Sequence, residues 1–303
     1  MRSLICMLPV ILLAGPAASQ CEVAELVPPD GATGARYGRC VAAAAGRAIL
    51  GAPELAPGGA VFVADITTGA ALLTLVPGDL EALDLFGAAV ATDGEVVVAT
   101  SLLDDDQGLD AGAAYVFDLE TGAELAKLVA PDSSYGDLFG ISVAVGGGWI
   151  CVGADGVDDG ASNAGSVYVY DSTSYAFLFE CQAQVPVAEG RLGGSVAIDG
   201  SYLLAGSWNE AVAGKTAQGA AYVFDLTTGL QLHRLVAPGG QAWDFLGDCV
   251  AAASGMGFVG APRADDLAGN SGAVVQFDLA TGVAVTRIVP PNCLLYTSDA
   301  ADE

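Results

Sequence analysis

The chain alternates short apolar runs with glycine-marked turns, and one phrase of about fifty residues is written five times. Each copy opens on a bulky apolar residue followed by glycine, at Tyr37, Phe86, Phe139, Leu192 and Leu246. The order inside a copy is fixed. A run such as LFGAAVATDG is followed by EVVVATS, an acidic loop, GAAYVFDLETG and AELAKLVAPD. Runs of this length, rich in Val, Ala, Tyr and Phe and bounded by turn signals, predict four short strands per copy. The turns are TDGE after the first strand and DLETG, DLTTG or DLATG after the third, where glycine supplies the positive φ of a tight hairpin.

A unit of this size cannot bury both faces of its own sheet, so neighbouring units must stack. The expected fold is all-β, a β-propeller of four-stranded antiparallel blades with five repeats present. The phrase EVAELVPPD at residues 22–30 copies the fourth-strand phrase without three strands of its own. It is read as the outer strand of a closing blade whose partners lie downstream, which makes the whole propeller six or seven blades. One domain, residues 20–292, is expected, because the repeat is uniform and 53% apolar composition over 303 residues suffices for a large core.

Charge narrows the function classes. Asp plus Glu number 36 against 10 Lys plus Arg, a formal charge of −26, and Lys127 and Lys215 are the only lysines. Nucleic acid is excluded as an expected partner, since phosphates need a basic surface. Cations, basic peptides or basic proteins fit the charge better, and solubility in a salty or extracellular setting accounts for it equally.

Residues 1–19 read as a secretory signal, with Arg2, the apolar stretch LICMLPVILLAG and the small residues Ala17, Ala18 and Ser19 before a cleavage point near Gln20. A lipid anchor on Cys21 is not expected, because Gln20 stands where that signal needs a small residue. No later segment is long and apolar enough to span a bilayer, so the mature chain is expected to be secreted, extracellular or periplasmic. No CxxC occurs. Cys40 and Cys249 fall where other copies have Ala89, Ser142 and Ser195, and read as small buried residues. Cys151 and Cys181 fall on the second and fourth strands of one unit, too far apart for a disulfide. Residues 293–303, CLLYTSDAADE, match nothing upstream. They look like the in-frame translation of a sequencing-library adapter, which would cut the native frame near Asn292.

Set side by side, the opening phrases resemble the FG-GAP repeat family, whose best-known members form the integrin α-subunit propeller. The pairs are Tyr37-Gly38, Phe86-Gly87, Phe139-Gly140, Leu192-Gly193 and Leu246-Gly247, with Gly51-Ala52-Pro53 and Gly260-Ala261-Pro262 after the hairpin. The resemblance implies an interaction propeller in which the aromatic packs between blades and glycine permits close approach. Calcium-binding members carry a DxDxDG loop between the two phrases. Here that hairpin is only TDGE, GGGW or IDGS, so calcium is not expected there.

Acidic residues gather instead between the second and third strands, as Asp104, Asp105, Asp106 and Asp110, as Asp155, Asp158 and Asp159, and as Asp265 and Asp266. Carboxylates crowded in glycine-containing loops are hard oxygen donors suited to Ca²⁺, and these nine are the candidate metal residues; solvated acidic loops remain the alternative. In a four-stranded antiparallel blade these loops share a face with the blade-to-blade loops, which carry Asp79, Asp84, Asp132, Asp137 and Asp244. Asp84 and Asp137 are read as turn caps. Tyr135 and Trp243 could add aromatic contact surface.

Catalytic signals are missing. His233 is the only histidine, neither GxSxG nor HExxH occurs, and GMGFVG at 255–260 sits inside a repeat and opens no helix. The expectation is a secreted, non-enzymatic interaction module presenting acidic loops to a protein or glycan ligand, assisted by Ca²⁺. The alternative is an accessory propeller of an exported enzyme whose catalytic part lies elsewhere, and a scaffold without ligand is a third reading.

Overall fold

The computed structural model describes residues 33–265 and 269–289. The signal at 1–19, Cys21, the strand at 22–30, Asp266 and the tail at 293–303 lie outside the described residues. Among the described residues twenty strands form five four-stranded antiparallel sheets, each in simple up-and-down order. The first unit holds β1 (Val41–Ala44), β2 (Arg47–Ala52), β3 (Ala60–Asp65) and β4 (Ala71–Leu75). The second holds β5 (Phe86–Thr92), β6 (Val96–Ser101), β7 (Ala113–Asp118) and β8 (Glu124–Leu128). The third holds β9 (Phe139–Gly146), β10 (Trp149–Ala154), β11 (Ser166–Asp171) and β12 (Phe177–Cys181). The fourth holds β13 (Leu192–Asp199), β14 (Tyr202–Ser207), β15 (Ala220–Asp225) and β16 (Leu230–Leu235). The fifth holds β17 (Val250–Ala253), β18 (Met256–Ala261), β19 (Ala273–Asp278) and β20 (Ala284–Ile288).

Successive units pack through their first strands, β1 against β5, β5 against β9, β9 against β13 and β13 against β17. This is a β-propeller, as the repeat predicts. Middle strands are buried on both faces because a neighbouring blade covers each side; β6 (VVVATS) is buried at every position. Such strands read as continuous apolar runs rather than alternating ones. Fourth strands are the outer rim, and in β8 only Leu128 is fully buried.

The apolar-glycine pair is the clasp between blades. Phe86 is fully buried, with its ring edge-on to Tyr115 at 5.7 Å and Phe117 at 5.9 Å in its own blade. On its other side lie Val61 and Val63 of the preceding blade. Phe139 repeats this against Tyr168 and Tyr170, with Ala114 and Val116 of the blade before it. Burial of each ring contributes roughly 2–3 kcal/mol. The backbone locks the same contact: the amides of Phe86, Phe139, Leu192 and Leu246 donate to the carbonyls of Gly58, Ala111, Ala164 and Gln218 at 2.8–3.0 Å.

Glycine is required next. Gly87, Gly140, Gly193 and Gly247 have φ of +90, +101, +87 and +94°, a region that L side chains rarely adopt. A Cβ at any of them would also sit within 3.0 Å of the preceding blade.

Cys151 and Cys181 are buried and free, with β11 between them, as the strand assignment implies. Cys40 is half-buried, and its Sγ donates to Gly87 O at 3.1 Å, as Ser142 donates to Gly193 O and Ser195 to Gly247 O. The expectation for Cys249 needs correction. It is exposed, not buried, because among the described residues no further blade lies over the fifth unit.

Candidate functional site

The loops between second and third strands and the loops between blades meet on one face, and three positions recur there. One lies on the third strand and is Phe62, Tyr115, Tyr168, Tyr222 or Val275. Opposite it, on the fourth strand, stand Thr74, Lys127, Glu180, Arg234 and Arg287. The last lies in the acidic loop. Its carbonyl accepts the amide of the glycine that precedes the third strand, in the pairs Leu55–Gly59, Asp104–Gly112, Val157–Gly165, Glu210–Gly219 and Ala264–Gly272. Equal register makes these columns of equivalent residues.

The second and fourth units hold closed ion clusters. In the second, Tyr115 donates its hydroxyl to Asp79 at 2.9 Å and Asp104 at 2.8 Å. Lys127 Nζ lies 2.9 Å from Asp79, 2.9 Å from Asp104 and 2.5 Å from Asp106. Burial by itself would lower the Lys127 pKa, but the hydrogen bonds to Asp106, Tyr115, Asp79 and Asp104 outweigh it and raise the pKa. In the fourth, buried Glu210 accepts from Tyr222 at 2.9 Å and from Arg234 Nε at 2.7 Å. In each case a basic residue on the fourth strand stands over an acid in the loop.

The third unit inverts the pattern. The fourth-strand residue is Glu180, and the loop residue beneath is Val157. Oxygens of Asp132, Asp159 and Glu180 lie within 4.8 Å of one another. Tyr168 donates to Asp132 at 2.9 Å, and Gln182 Nε2 donates to Asp159 at 2.9 Å and Glu180 at 2.8 Å. Among the described residues no Lys or Arg forms an ion pair with these three. Burial pushes the Glu180 pKa up, the hydrogen bond from Gln182 opposes it, and the charges of Asp132 and Asp159 push it further. Three hard oxygen donors without a countercharge are what a divalent cation would fit.

Three of the other candidate carboxylates serve the loop backbone. Asp105, Asp158 and Asp265 each accept the amide five residues on, from Asp110, Asn163 and Asn270, at 2.7, 2.8 and 2.6 Å. Each of those three donors has a φ near +50°, so the carboxylate tethers a left-handed corner. Asp155 is buried and lies 3.6 Å from Arg191, and burial raises its pKa. The structure therefore assembles Asp104 and Asp106 with Lys127, and Asp159 with Asp132 and Glu180, and it keeps Asp105, Asp110, Asp155, Asp158 and Asp265 apart from both clusters. Glu180 was missed in the sequence reading because it lies on a strand and not in a loop; its place opposite Lys127 and Arg234 in the repeat was the available signal.

Asp84, Asp137 and Asp244 are buried turn caps, accepting the amides of Glu81, Ser134 and Gln241, each at 2.7 Å. The TDGE hairpin is likewise spent, with Asp93 accepting the amides of Glu95 and Val96, so no DxDxDG-type site fits there. Tyr135 and Trp243 are exposed, at 72% and 56%. His233 is bonded through Nε2 to Ala280 O at 3.0 Å, which ties the outer strand of the fourth unit to the third-strand turn of the fifth.

A family model described as FG-GAP repeat matches residues 21–64, 73–117 and 123–170. The second and third matches each run from the outer strand of one sheet through the third strand of the next, so a sequence repeat joins parts of two blades. No curated protein matches the chain. No helix among the described residues is long and apolar enough to cross a membrane.

Proposed function

We propose, from the match of the FG-GAP repeat model to residues 21–64, 73–117 and 123–170, that this chain is an exported, non-catalytic interaction propeller. It offers its acidic loop face to a protein or glycan ligand, with a divalent cation of the Ca²⁺ class at Asp132, Asp159 and Glu180. One observation carries the cation: units two and four place a basic side chain, Lys127 or Arg234, among their acids, whereas unit three has Glu180 at that position. Three carboxylates supply part of the six to eight oxygens that Ca²⁺ takes, and water or ligand oxygens supply the others. A ligand reaching the same face also meets the exposed Tyr135 and Trp243, side chains that give large contact area at low entropic cost.

Thermal denaturation of the full chain with millimolar Ca²⁺ against chelator tests the cation reading. Binding to the folded state stabilises it by mass action, by about 2.7 kcal/mol at one hundred times Kd, and so raises the melting temperature. An unchanged melting temperature removes the cation from the proposal. Export rests on the leader read in residues 1–19 and is checked by amino-terminal sequencing of the exported product, expected to begin near Gln20.

A further inference from the structure

The loop that leads into the fourth blade departs from its counterparts at one telling position. Seven residues ahead of the clasping residue stand Asp79 before Phe86, Asp132 before Phe139 and Val185 before Leu192. Asp79 and Asp132 each accept the hydroxyl of the next blade's third-strand tyrosine, Tyr115 or Tyr168, at 2.9 Å, and Asp79 also meets Lys127 at 2.9 Å. Val185 can do neither. The loop backbone keeps its place all the same: the Gln184 amide donates to Gln231 on β16 at 2.8 Å, as the Gly78 amide donates to Glu124 on β8 at 3.0 Å. The fourth blade therefore preserves the position and replaces its carboxylate with an apolar side chain.

A second acid is replaced in the same blade. Asp106, two residues beyond Asp104, is another of the carboxylates around Lys127, whereas two residues beyond Glu210 stands the buried Val212. Among the described residues Arg234 has Glu210 as its only ion-pair partner, engaged through Nε and Nη2. The Arg234 side chain is 37% exposed against 21% for Lys127. Beside it opens a cavity of about 320 Å³, lined by Gln184, Val185, Val187, Tyr222, Gln231 and Arg234.

We infer that this cavity binds a carboxylate of a protein ligand, an aspartate or glutamate side chain that takes at Arg234 the place Asp79 holds at Lys127. A guanidinium carries five N–H donors in a planar fork suited to carboxylates, and Glu210 leaves donors over for a second one. Further negative charge fits this environment, since the second blade gathers three carboxylates around one lysine. The exposed Val185 and its neighbour Val187 give an apolar wall for the aliphatic side chains that flank the acid in a peptide. Tyr222 is buried and offers no ring face on which a sugar would stack, so a polypeptide is favoured over an acidic glycan. The inference rests on the reading of this face as an interaction surface and is independent of the cation at Glu180.

The test is an NMR titration of the arginine Nε–H signals of the full chain with the peptide acetyl-VDV-amide, against acetyl-VNV-amide as control. The Arg234 signal, assigned from its loss in Arg234→Lys, is expected to shift saturably with a Kd on the order of 1 mM. The asparagine peptide is expected to bind at least roughly tenfold more weakly, because it forfeits a charge-assisted pair. Val185→Asp supplies the carboxylate from the chain itself, and in that variant, its fold checked by melting, binding of the aspartate peptide should fall roughly tenfold as well. The absence of a saturable shift, equal binding of the two peptides, or undiminished binding to folded Val185→Asp protein overturns the inference. A saturable Arg234 shift with trigalacturonate and none with the peptide assigns the cavity to an acidic glycan and also overturns it. The Ca²⁺ melting shift of the same samples reads the cation separately, so either proposal can fail while the other stands.

Discussion

Lys127 and Glu180 occupy the same place in successive blades, opposite Tyr115 and Tyr168, and they carry opposite charge. Around Lys127 three carboxylates close into an internal cluster. Around Glu180 the acids face one another with Gln182 as their amide donor. The presence of a cation-bearing side chain at this position thus separates a blade with an internal counterion from one without, and the two side chains can be exchanged experimentally.

Glu180→Lys places a basic side chain between Asp132 and Asp159, as Lys127 stands between Asp79 and Asp106. Stability without metal is expected to rise by about 1 kcal/mol as like charges become opposite ones, and the response to Ca²⁺ is expected to vanish. Melting curves with and without Ca²⁺ read both effects. A variant that keeps the full Ca²⁺ shift shows that the cation sits elsewhere.

Lys127→Met is the converse change. It leaves Asp79, Asp104 and Asp106 without a countercharge, with Asp104 only 4% exposed. Loss of one partner of a largely buried cluster costs about 2–4 kcal/mol. Urea denaturation measures the loss, and adding Asp104→Asn should recover part of it. An additive double variant would mean that the pair contributes no coupling.

Cation binding should weaken on acidification, and earlier than for an ordinary carboxylate site. The Glu180 pKa lies above its usual value, so protons compete with the metal as pH falls through that raised pKa. Calorimetric titrations at stepped pH check this. Glu180→Gln should lower affinity at neutral pH and flatten the upper part of the pH dependence.

Stability itself should show two opposed pH regimes. Asp65, Asp118, Asp171, Asp225 and Asp278 are held below the usual carboxylate range by amide and hydroxyl hydrogen bonds in the third-strand turns. Their contribution is fully present above the unfolded pKa near 3.9 and is lost as pH falls through the folded values. Burial holds Asp84, Asp137 and Asp155 above the usual range. The folded state there binds the proton more tightly than the unfolded chain, so stability rises as pH falls through those raised values. Denaturation midpoints from neutral to acid pH should pass through a maximum before the acid loss; a monotonic fall contradicts the raised values.

Phe139→Ala should cost about 3–5 kcal/mol, since the ring is fully buried between two blades. Gly140→Ala should destabilise by a separate route, the φ of +101° and the nearby Thr100 Cβ. Chemical denaturation of each variant reads the loss. An unperturbed Gly140→Ala protein would remove the steric account of the pair.

The repeat itself determined the architecture. Periodic apolar runs and glycine turns place all four strands of each unit, and the pairs beginning at Phe86, Phe139, Leu192 and Leu246 already mark the four clasps among the described residues, because each unit must lend its open face to the next. The caps at Asp84 and Asp137 were legible as well, since an aspartate just ahead of a tight crossing has an amide within reach. The acidic clusters were legible only as composition. Which carboxylates meet depends on the stacking of a blade-to-blade loop against the fourth strand of the following blade, which brings Asp132 beside Glu180 across 48 positions of chain. Asp105, Asp158 and Asp265 are taken up by local backbone corners instead, each accepting the amide five residues on. Local pattern fixes which strands form and where they turn, whereas the charge balance of each site is decided by residues that come together only when blades pack.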